Sequence, residues 1–576
     1  MTVLLWNTTT PVLLQESIAA LTGASMFALL LAFILTPPVS LFLLWLYRRT
    51  ILKGMDQEAK LVVEPPPIIQ SVAGKKQPLR IKTQPANSIA FPATGIGLAA
   101  HLKRSKSQLR LTYLLAGLVF GLAFTIGWQM LVDQQITPLR TLLFIILFSW
   151  PVVLAFNQLF AIGWQERVFR IGLYFTLIIV YFLLIRLAGK GMDLLDISIL
   201  WFILNGIPTV FLAATQIRKI RAVGPLVMGF FTVGITGTMI LPSLFLGQDK
   251  GMVAGFESAF QINTIFGDWV TDFIGFIVLG LLGWALLIWL GIQYRLKRIN
   301  DQSLSIDAIF LLFMIPNSLT LVYSGLYWIL IGPLAYLGYK LVKQIGYRKF
   351  IPPARKDGKV PGLLLLRVFS LGKRSLRLYD ALAKQWLHLG TISLIAGPDL
   401  VTGLVEPQEF LDFLAGKTSR QFVQDQTDLD ARLQRFDHRS DPDGRYRTTE
   451  FFCRANTWKM TMKRLGLESD TVLMDLRSFS RTNQGCTFEL EQLLNLVPLA
   501  RILLIIDPTT DHDFLIETLQ SLWKNIPPNS ENGRLMEPEL LIFEATSGTG
   551  HEAQTLMRLL LEQPKLKEWP TVEQLT

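Results

Sequence analysis

The chain has only two cysteines, Cys453 and Cys486, among 576 residues. That excludes a disulfide framework and a multi-cysteine metal site. Its histidines, His101, His388, His438, His512 and His551, are scattered and none pairs at ligand spacing, so no metal site is expected. Charge is scarce too: 17% of residues are charged, against about 25% in a typical soluble domain. There is no GxGxxG and no phosphate loop ending in Gly-Lys-Ser/Thr, which excludes the two commonest nucleotide-binding signatures. Met1 to Gln15 has no basic n-region, so the first apolar run reads as a span and not as a cleaved signal. Beyond about residue 345, no apolar run is long enough to cross a bilayer.

Before that point such runs dominate. Over the whole chain 51% of residues are hydrophobic and mean hydropathy is +0.40. Residues 1–350 hold 28 Lys and Arg against 14 Asp and Glu, and residues 351–576 hold 27 against 30. The basic excess therefore belongs to the apolar half. It reads as topology signal and contact with membrane lipids, and no nucleic-acid partner is expected. Crossing the hydrocarbon takes roughly 20 residues. The candidate spans are 19–47, 110–131, 140–162, 171–188, 196–216, 223–247, 271–294, 306–324 and 326–342. With about nine helices, the positive-inside rule puts the N-terminus outside and the C-terminus in the cytoplasm. The expected location is the inner (plasma) membrane of a prokaryotic-type cell. Residues 50–109, with Pro65-Pro66-Pro67 and a basic run from Lys75 to Lys106, read as a cytoplasmic linker lying partly on anionic lipid.

Span interiors contain almost no ionisable groups; Arg186 and Asp307 sit near ends. Asn157, Gln158, Asn205 and Asn317 are expected to bond between helices. Pumps and ion-coupled transporters keep charge in mid-membrane. Its scarcity favours an anchor or sensor over a transporter, although an uncharged or lipid-like solute could still pass.

From residue 360 short apolar runs alternate with amphipathic ones. Strands are expected at 363–369, 391–396, 471–476, 501–506 and 540–543. Helices are expected at 374–388, 407–414, 457–465, 488–496, 513–523 and 552–561, with a polar stretch at 418–450. Buried strands joined by helical crossovers imply a mostly parallel sheet covered on both faces. The predicted fold class is thus a multispan α-helical membrane domain (1–350) followed by a cytoplasmic α/β domain (355–576). Ligands of such sheets bind beyond the carboxyl ends of the strands. That points to Phe369 to Arg374, Gly397-Pro398-Asp399, Asp475 to Gly485 and Asp507 to Thr510. Asp441-Pro442-Asp443-Gly444-Arg445 has some calcium-loop character but lacks the downstream spacing, so a polar surface loop is expected. The Thr546 to Gly550 run reads as a strand-to-helix turn.

Met474-Asp475-Leu476-Arg477-Ser478-Phe479-Ser480, followed by Gly485-Cys486-Thr487-Phe488-Glu489-Leu490, resembles the Toll/interleukin-receptor-like (TIR-like) domains and their prokaryotic relatives. Cys486, Glu489 and Leu490 match that family's Cys-x-x-Glu-Leu helix start. Leu366 to Ser370 and the helix with Tyr379-Asp380 look like its first strand and helix. Gly485 stands where the family commonly has tryptophan, and a long insert at 397–456 departs from the pattern. The resemblance covers two short blocks and none of the membrane part. It implies that Glu489 is required for cleaving the nicotinamide–ribose bond of NAD, as in the family's active members, or else that the domain is an assembly platform. Glycosidic cleavage needs a carboxylate near the ribose. Arg367, Lys373 or Arg477 could hold a diphosphate, Phe369 or Phe479 could stack on a ring, and Asp399, Asp475, Ser480 and Cys486 complete the candidate ligand-binding set. A capping or solvent-facing role satisfies Glu489 equally well. The functional expectation is a membrane-anchored sensor or signalling scaffold with a nucleotide- or partner-binding domain, self-associating and recruiting cytoplasmic proteins. The alternatives are an NAD-cleaving enzyme, with NAD as substrate, and a regulated transporter.

Overall fold

The computed structural model describes residues 12–58, 77–85, 96–130, 137–161, 164–188, 193–206, 208–210, 223–245, 268–322, 326–351, 360–368, 373–398, 405–528, 530–545 and 550–563. Apart from one strand at 80–85, the described elements of the apolar half are helices: α1 (Val12–Met55), α2 (Ile96–Trp128), α3 (Pro138–Phe148), α4 (Trp150–Phe160), α5 (Trp164–Leu187), α6 (Leu194–Trp201), α7 (Gly224–Phe245), α8 (Asp268–Arg295), α9 (Asp301–Val322) and α10 (Ile331–Phe350). Among the described residues, the helical stretches Leu30–Met55, Leu102–Trp128, Trp164–Leu187 and Phe273–Arg295 are long and apolar enough to cross a membrane. The bent pair α3–α4 makes a fifth if it is one span. The expected spans at 196–216, 223–247, 306–324 and 326–342 overlap α6, α7, α9 and α10, which fall short of that length or apolarity over their described residues.

The bend of 41° between α3 and α4 follows from the sequence. Pro151 sits in the first turn of α4; it lacks an N–H and its ring clashes with the preceding turn. Side-chain donors bond carbonyls at this break, that of Leu147 being the one Pro151 leaves without an N–H. Asn205 Nδ2 donates to Leu147 O at 2.8 Å and Tyr174 Oη to Ile146 O at 3.0 Å. Two more of the internal amides bond between helices as expected. Asn317 Nδ2 donates to Leu204 O (3.3 Å), and Gln158 accepts from Ser305 (3.3 Å). Asp307, a carboxylate buried in α9, is held by Lys340, Lys343 and the Tyr339 hydroxyl of α10. It is thus neutralised by two cations where an unpaired charge would be costly.

The second half is built on eight strands: β1 (Arg80–Pro85), β2 (Gly362–Arg367), β3 (Thr391–Ile395), β4 (Phe422–Val423), β5 (Thr448–Cys453), β6 (Thr471–Asp475), β7 (Ile502–Ile506) and β8 (Glu539–Glu544). All pair in parallel, in the order β1-β8-β7-β6-β2-β3-β5-β4. The connecting helices are α11 (Lys373–Trp386), α12 (Pro407–Leu414), α13 (Gln426–Gln434), α14 (Trp458–Glu468), α15 (Gln484–Leu496), α16 (His512–Asn525) and α17 (Gly550–Leu561). Alternate residues of each strand enter opposite cores, as the period of two requires. Leu363 and Leu365 of β2 pack toward α11 and α17, while Leu364 and Leu366 pack toward α14, α15 and α16.

Two features depart from the sequence reading. The stretch expected to be a linker contributes β1, which extends the sheet beside β8 in the register Arg80↔Glu539 to Pro85↔Glu544. The polar stretch 418–450 is no loop: it forms β4, α13 and the start of β5. Within it Asp441 and Asp443 are buried, paired with Arg447 and Arg445. The surface loop expected at 441–445 is therefore a buried charged turn. Gly444 takes φ +79 against Ile351, at the end of the last helix of the apolar half.

Candidate functional site

With β1 and β4 set aside, the strands run 3-2-1-4-5-6 in chain order. That is the doubly wound arrangement, in which ligands bind where the winding reverses. Here the chain leaves the central β2 toward β3 and later returns on its other side at β6, so the reversal lies between β2 and β6. At their carboxyl ends Arg367 and Asp475 stand in register, and the Val368 N–H donates to Asp475 O at 3.0 Å.

Asp475 and Arg477 are both buried and form a bidentate pair, Nε to Oδ1 at 2.8 Å and Nη2 to Oδ2 at 2.7 Å. Breaking such a pair from one side costs about 3–5 kcal/mol. The next residue, Ser478, takes φ +60, a left-handed backbone that residues other than glycine seldom adopt. Such outliers cluster at functional sites. The Ser478 and Thr509 hydroxyls bond at 2.8 Å, and Arg374, exposed at the start of α11, reaches both of them and forms an ion pair with Asp507. The tips of β6 and β7 and the entry to α11 are thus tied into one rim.

Below the rim lie Arg367, Cys486 and Glu489, each 4–5% exposed. Glu489 faces inward from α15, so it is neither solvent-facing nor a cap. Burial pushes its carboxyl up to about 8, with the Arg367 guanidinium opposing. Its Oε2 is buried with no hydrogen-bond partner, a costly state that a ligand hydroxyl or a water could relieve. Burial, with the Glu489 and Asp475 charges, pushes the Cys486 thiol up to about 12, so it is an inert buried group at neutral pH.

The structure therefore brings Arg367, Asp475, Arg477, Cys486 and Glu489 to one place. Phe479 does not join them as a stacking platform: it is fully buried and stacks on Phe514 at 5.5 Å. Ser480 is engaged at the head of α15, where its N–H donates to Asn483 Oδ1 at 2.9 Å. Phe369, Asp399 and most of the Thr546 to Gly550 run lie outside the described residues, as does the side chain of Lys373. The sequence reading missed Arg374, Ser478, Asp507 and Thr509 as individual groups, although they stand on strand tips it had named. Among the described residues, no three His, Cys, Asp or Glu side chains are arranged to hold a metal ion.

A cavity of ≈ 130 Å³ lies elsewhere, at the seam between the helical half and the α/β domain. Its lining includes Gln158, Tyr294 and Ser305 from the helices, and Tyr379, Glu406 and Arg447 from the domain. Glu489 does not border it.

Compared with known protein families, curated proteins and solved structures, the chain matches none.

Proposed function

We propose that this chain is a membrane-anchored sensor or signalling protein of the TIR-like kind, whose α/β domain faces the cytoplasm and takes a nucleotide-type ligand between β2 and β6. The observation that carries this reading is Glu489, a buried carboxyl with one unpartnered oxygen beside Arg367 at the point where the winding reverses. A ribose hydroxyl would satisfy that oxygen. Arg374, half of an exposed-rim ion pair, can exchange Asp507 for a ligand phosphate by a charge-assisted bond, at the N-terminal end of α11 where anions are favoured. Setting aside β1 at the edge, and β4 and β5 from the insert, leaves the five-strand doubly wound order 2-1-3-4-5, which is compatible with the resemblance. Signalling through such a domain implies self-association and cytoplasmic protein partners.

Cleavage of NAD is the second reading, and the protonation of Glu489 bears on it. A carboxyl with its pKa near 8 is mostly neutral at pH 7. It can exchange hydrogen bonds with a ribose hydroxyl, but it stabilises an oxocarbenium charge only once ionised. A carboxyl held neutral by burial favours binding over turnover.

The test uses the full chain in lipid nanodiscs with NAD as the probe, measuring binding by calorimetry and release of nicotinamide. Wild type is expected to bind, and Glu489→Gln to bind within about tenfold of it, because the amide still hydrogen-bonds a ribose hydroxyl. Arg374→Met is expected to weaken binding by tenfold or more. Absence of NAD binding by wild type would overturn the ligand reading. Nicotinamide release that rises through pH 8 and vanishes in Glu489→Gln would establish the second reading over the first.

A further inference from the structure

Among the described residues, the 397–456 insert, the part that departs from the TIR-like pattern, supplies many of the contacts between the α/β domain and the helices, and α11 and the turn after it add others, from Lys384 to the Ala161 carbonyl and from His388 to Ser105. Its α12 and β4 share one apolar cluster with α1, α7 and α8, in which Phe410, Phe422, Tyr47 and Ile51 are buried. Tyr47 meets the Phe413 ring edge-on at 5.5 Å, and Gly54 leaves room for the Phe422 ring. The polar contacts converge on the turn between α8 and α9, where Lys297 takes φ +53. Tyr294 Oη donates to Glu406 Oε2 at 3.0 Å. The Arg447 guanidinium lies 3.9 Å from the Tyr294 ring centroid, is held by Asp441, and donates to Ile299 O at 3.0 Å. Lys297 Nζ donates to the carbonyls of Asp437 and Arg439, and Arg295 pairs with Asp412 at 2.6 Å.

At the centre of this seam three carboxyl groups crowd together: Glu406 at the head of α12, Glu409 one turn on, and Glu450 on β5. Glu409 Oε2 accepts the Glu406 backbone N–H at 3.1 Å. The groups that face them from neighbouring elements are Asp301 of α9, Asp412 of α12, Asp441 and Arg447 before β5, Arg367 of β2, Tyr379 of α11, Tyr294 of α8 and Tyr47 of α1. Arg447 is already committed to Asp441, and Arg367 also faces Glu489. The cluster therefore holds more acid than cation, directly against the membrane helices, with the ≈ 130 Å³ cavity bordering Glu406.

We propose that this seam is a proton-sensitive joint: the α/β domain seats firmly on the helices while the three glutamates are protonated and loosens when they ionise. The joint works whatever the crevice between β2 and β6 binds. Each residue keeps some exposed surface, yet burial is the largest influence on all three carboxyls. Glu406 is pushed up to about 7, Glu450 up to about 8, and Glu409 well above its usual range. The sign follows. An acid whose pKa is higher in the docked state holds its proton longer there, so docking is strongest below the ordinary glutamate range and is lost progressively as pH rises through 7 to 8. Near-neutral pH lies in the steep part of that range.

The experiment is hydrogen exchange of the full chain in nanodiscs at pH 6 and pH 8.5, corrected for intrinsic chemical exchange. The readouts are the backbone amides of 408–415 and 294–300, with β8 amides as an internal control. Protection of the seam is expected to fall as pH rises, by up to about tenfold per pH unit for each proton the docked cluster holds, while β8 stays constant. The Glu406→Gln/Glu450→Gln variant is expected to keep its protection at pH 8.5. If that variant does not fold, Tyr294→Phe serves instead. It removes a hydrogen bond that favours ionised Glu406, so the loosening midpoint should move to higher pH. A wild-type seam indifferent to pH, a glutamine variant as pH-dependent as wild type, or an unmoved midpoint in Tyr294→Phe would each overturn the proposal.

Discussion

Glu489 shows how far one residue's role depends on what surrounds it. In the sequence it is a glutamate in the early part of a helix, a place where carboxylates are favoured at the surface. In the structure it is 4% exposed and faces Arg367. Its raised pKa makes a stability prediction independent of any ligand. The folded state holds the Glu489 proton up to about pH 8, whereas the unfolded chain releases it near the ordinary glutamate value. Its contribution is therefore complete below the unfolded value and is lost as pH rises through about 8, at no more than about 1.4 kcal/mol per pH unit. Glu489→Gln should leave thermal stability at pH 5 nearly unchanged and raise it relative to wild type at pH 9. Equal midpoints for the two proteins at pH 9 would show that the carboxyl is not strained by burial.

Elements add interactions that no residue pattern announces. β1 comes from a stretch that reads as a linker, because six residues with Arg80, Lys82 and Pro85 look like solvated chain. They are also what a sheet edge needs: charges and a proline discourage further pairing. Lys82 pairs with Glu539 at 3.3 Å, and Trp523 Nε1 donates to Gln77 O at 2.9 Å. Ile81 packs against the core over β8 and β7. Ile81→Asp is expected to destabilise the domain by about 1–3 kcal/mol and to raise hydrogen exchange in β8 without affecting membrane insertion. Unchanged protection of β8 would mean that β1 is an ornament on the sheet. By contrast, strands β2, β3, β6, β7 and β8 were legible to within about two residues, because their apolar runs are short, β-branched or leucine-rich, and bounded by turn residues.

At the scale of the whole molecule, the boundary near residue 350 is sharp in composition and absent in packing. The apolar cluster that joins α1, α7 and α8 to α12, β4 and β5 leaves Phe410, Phe422 and Phe452 buried against the helices. Each such side chain contributes roughly 1.5–3 kcal/mol when fully buried. A fragment of residues 355–576 would expose that face and lose β1 as well. It is expected to self-associate and to unfold at lower temperature than the domain within the full chain, as read by size-exclusion chromatography and calorimetry. A monodisperse fragment with an unshifted transition would show that the seam is dispensable for the fold.

The sequence by itself determined the two-part organisation, the parallel α/β class and most of the helices and strands, because each follows from local periodicity and from the length of apolar runs. It also placed Arg367, Asp475 and Arg477 near one another, since a parallel sheet brings all strand tips to one edge, while Cys486 and Glu489 were candidates only through the resemblance. Tertiary structure alone decided the rest. Phe479 and Ser480 were candidates by position, but core packing claims the first and the turn before α15 the second. Arg374 and Ser478 gained their partners from a different strand tip. Glu406, Glu409 and Glu450 read as unremarked glutamates until two elements of the insert fold them against α1 and α8. Whether a carboxyl is solvated or enclosed depends on groups far away in the chain, and a charge pattern read along one dimension does not contain that distance.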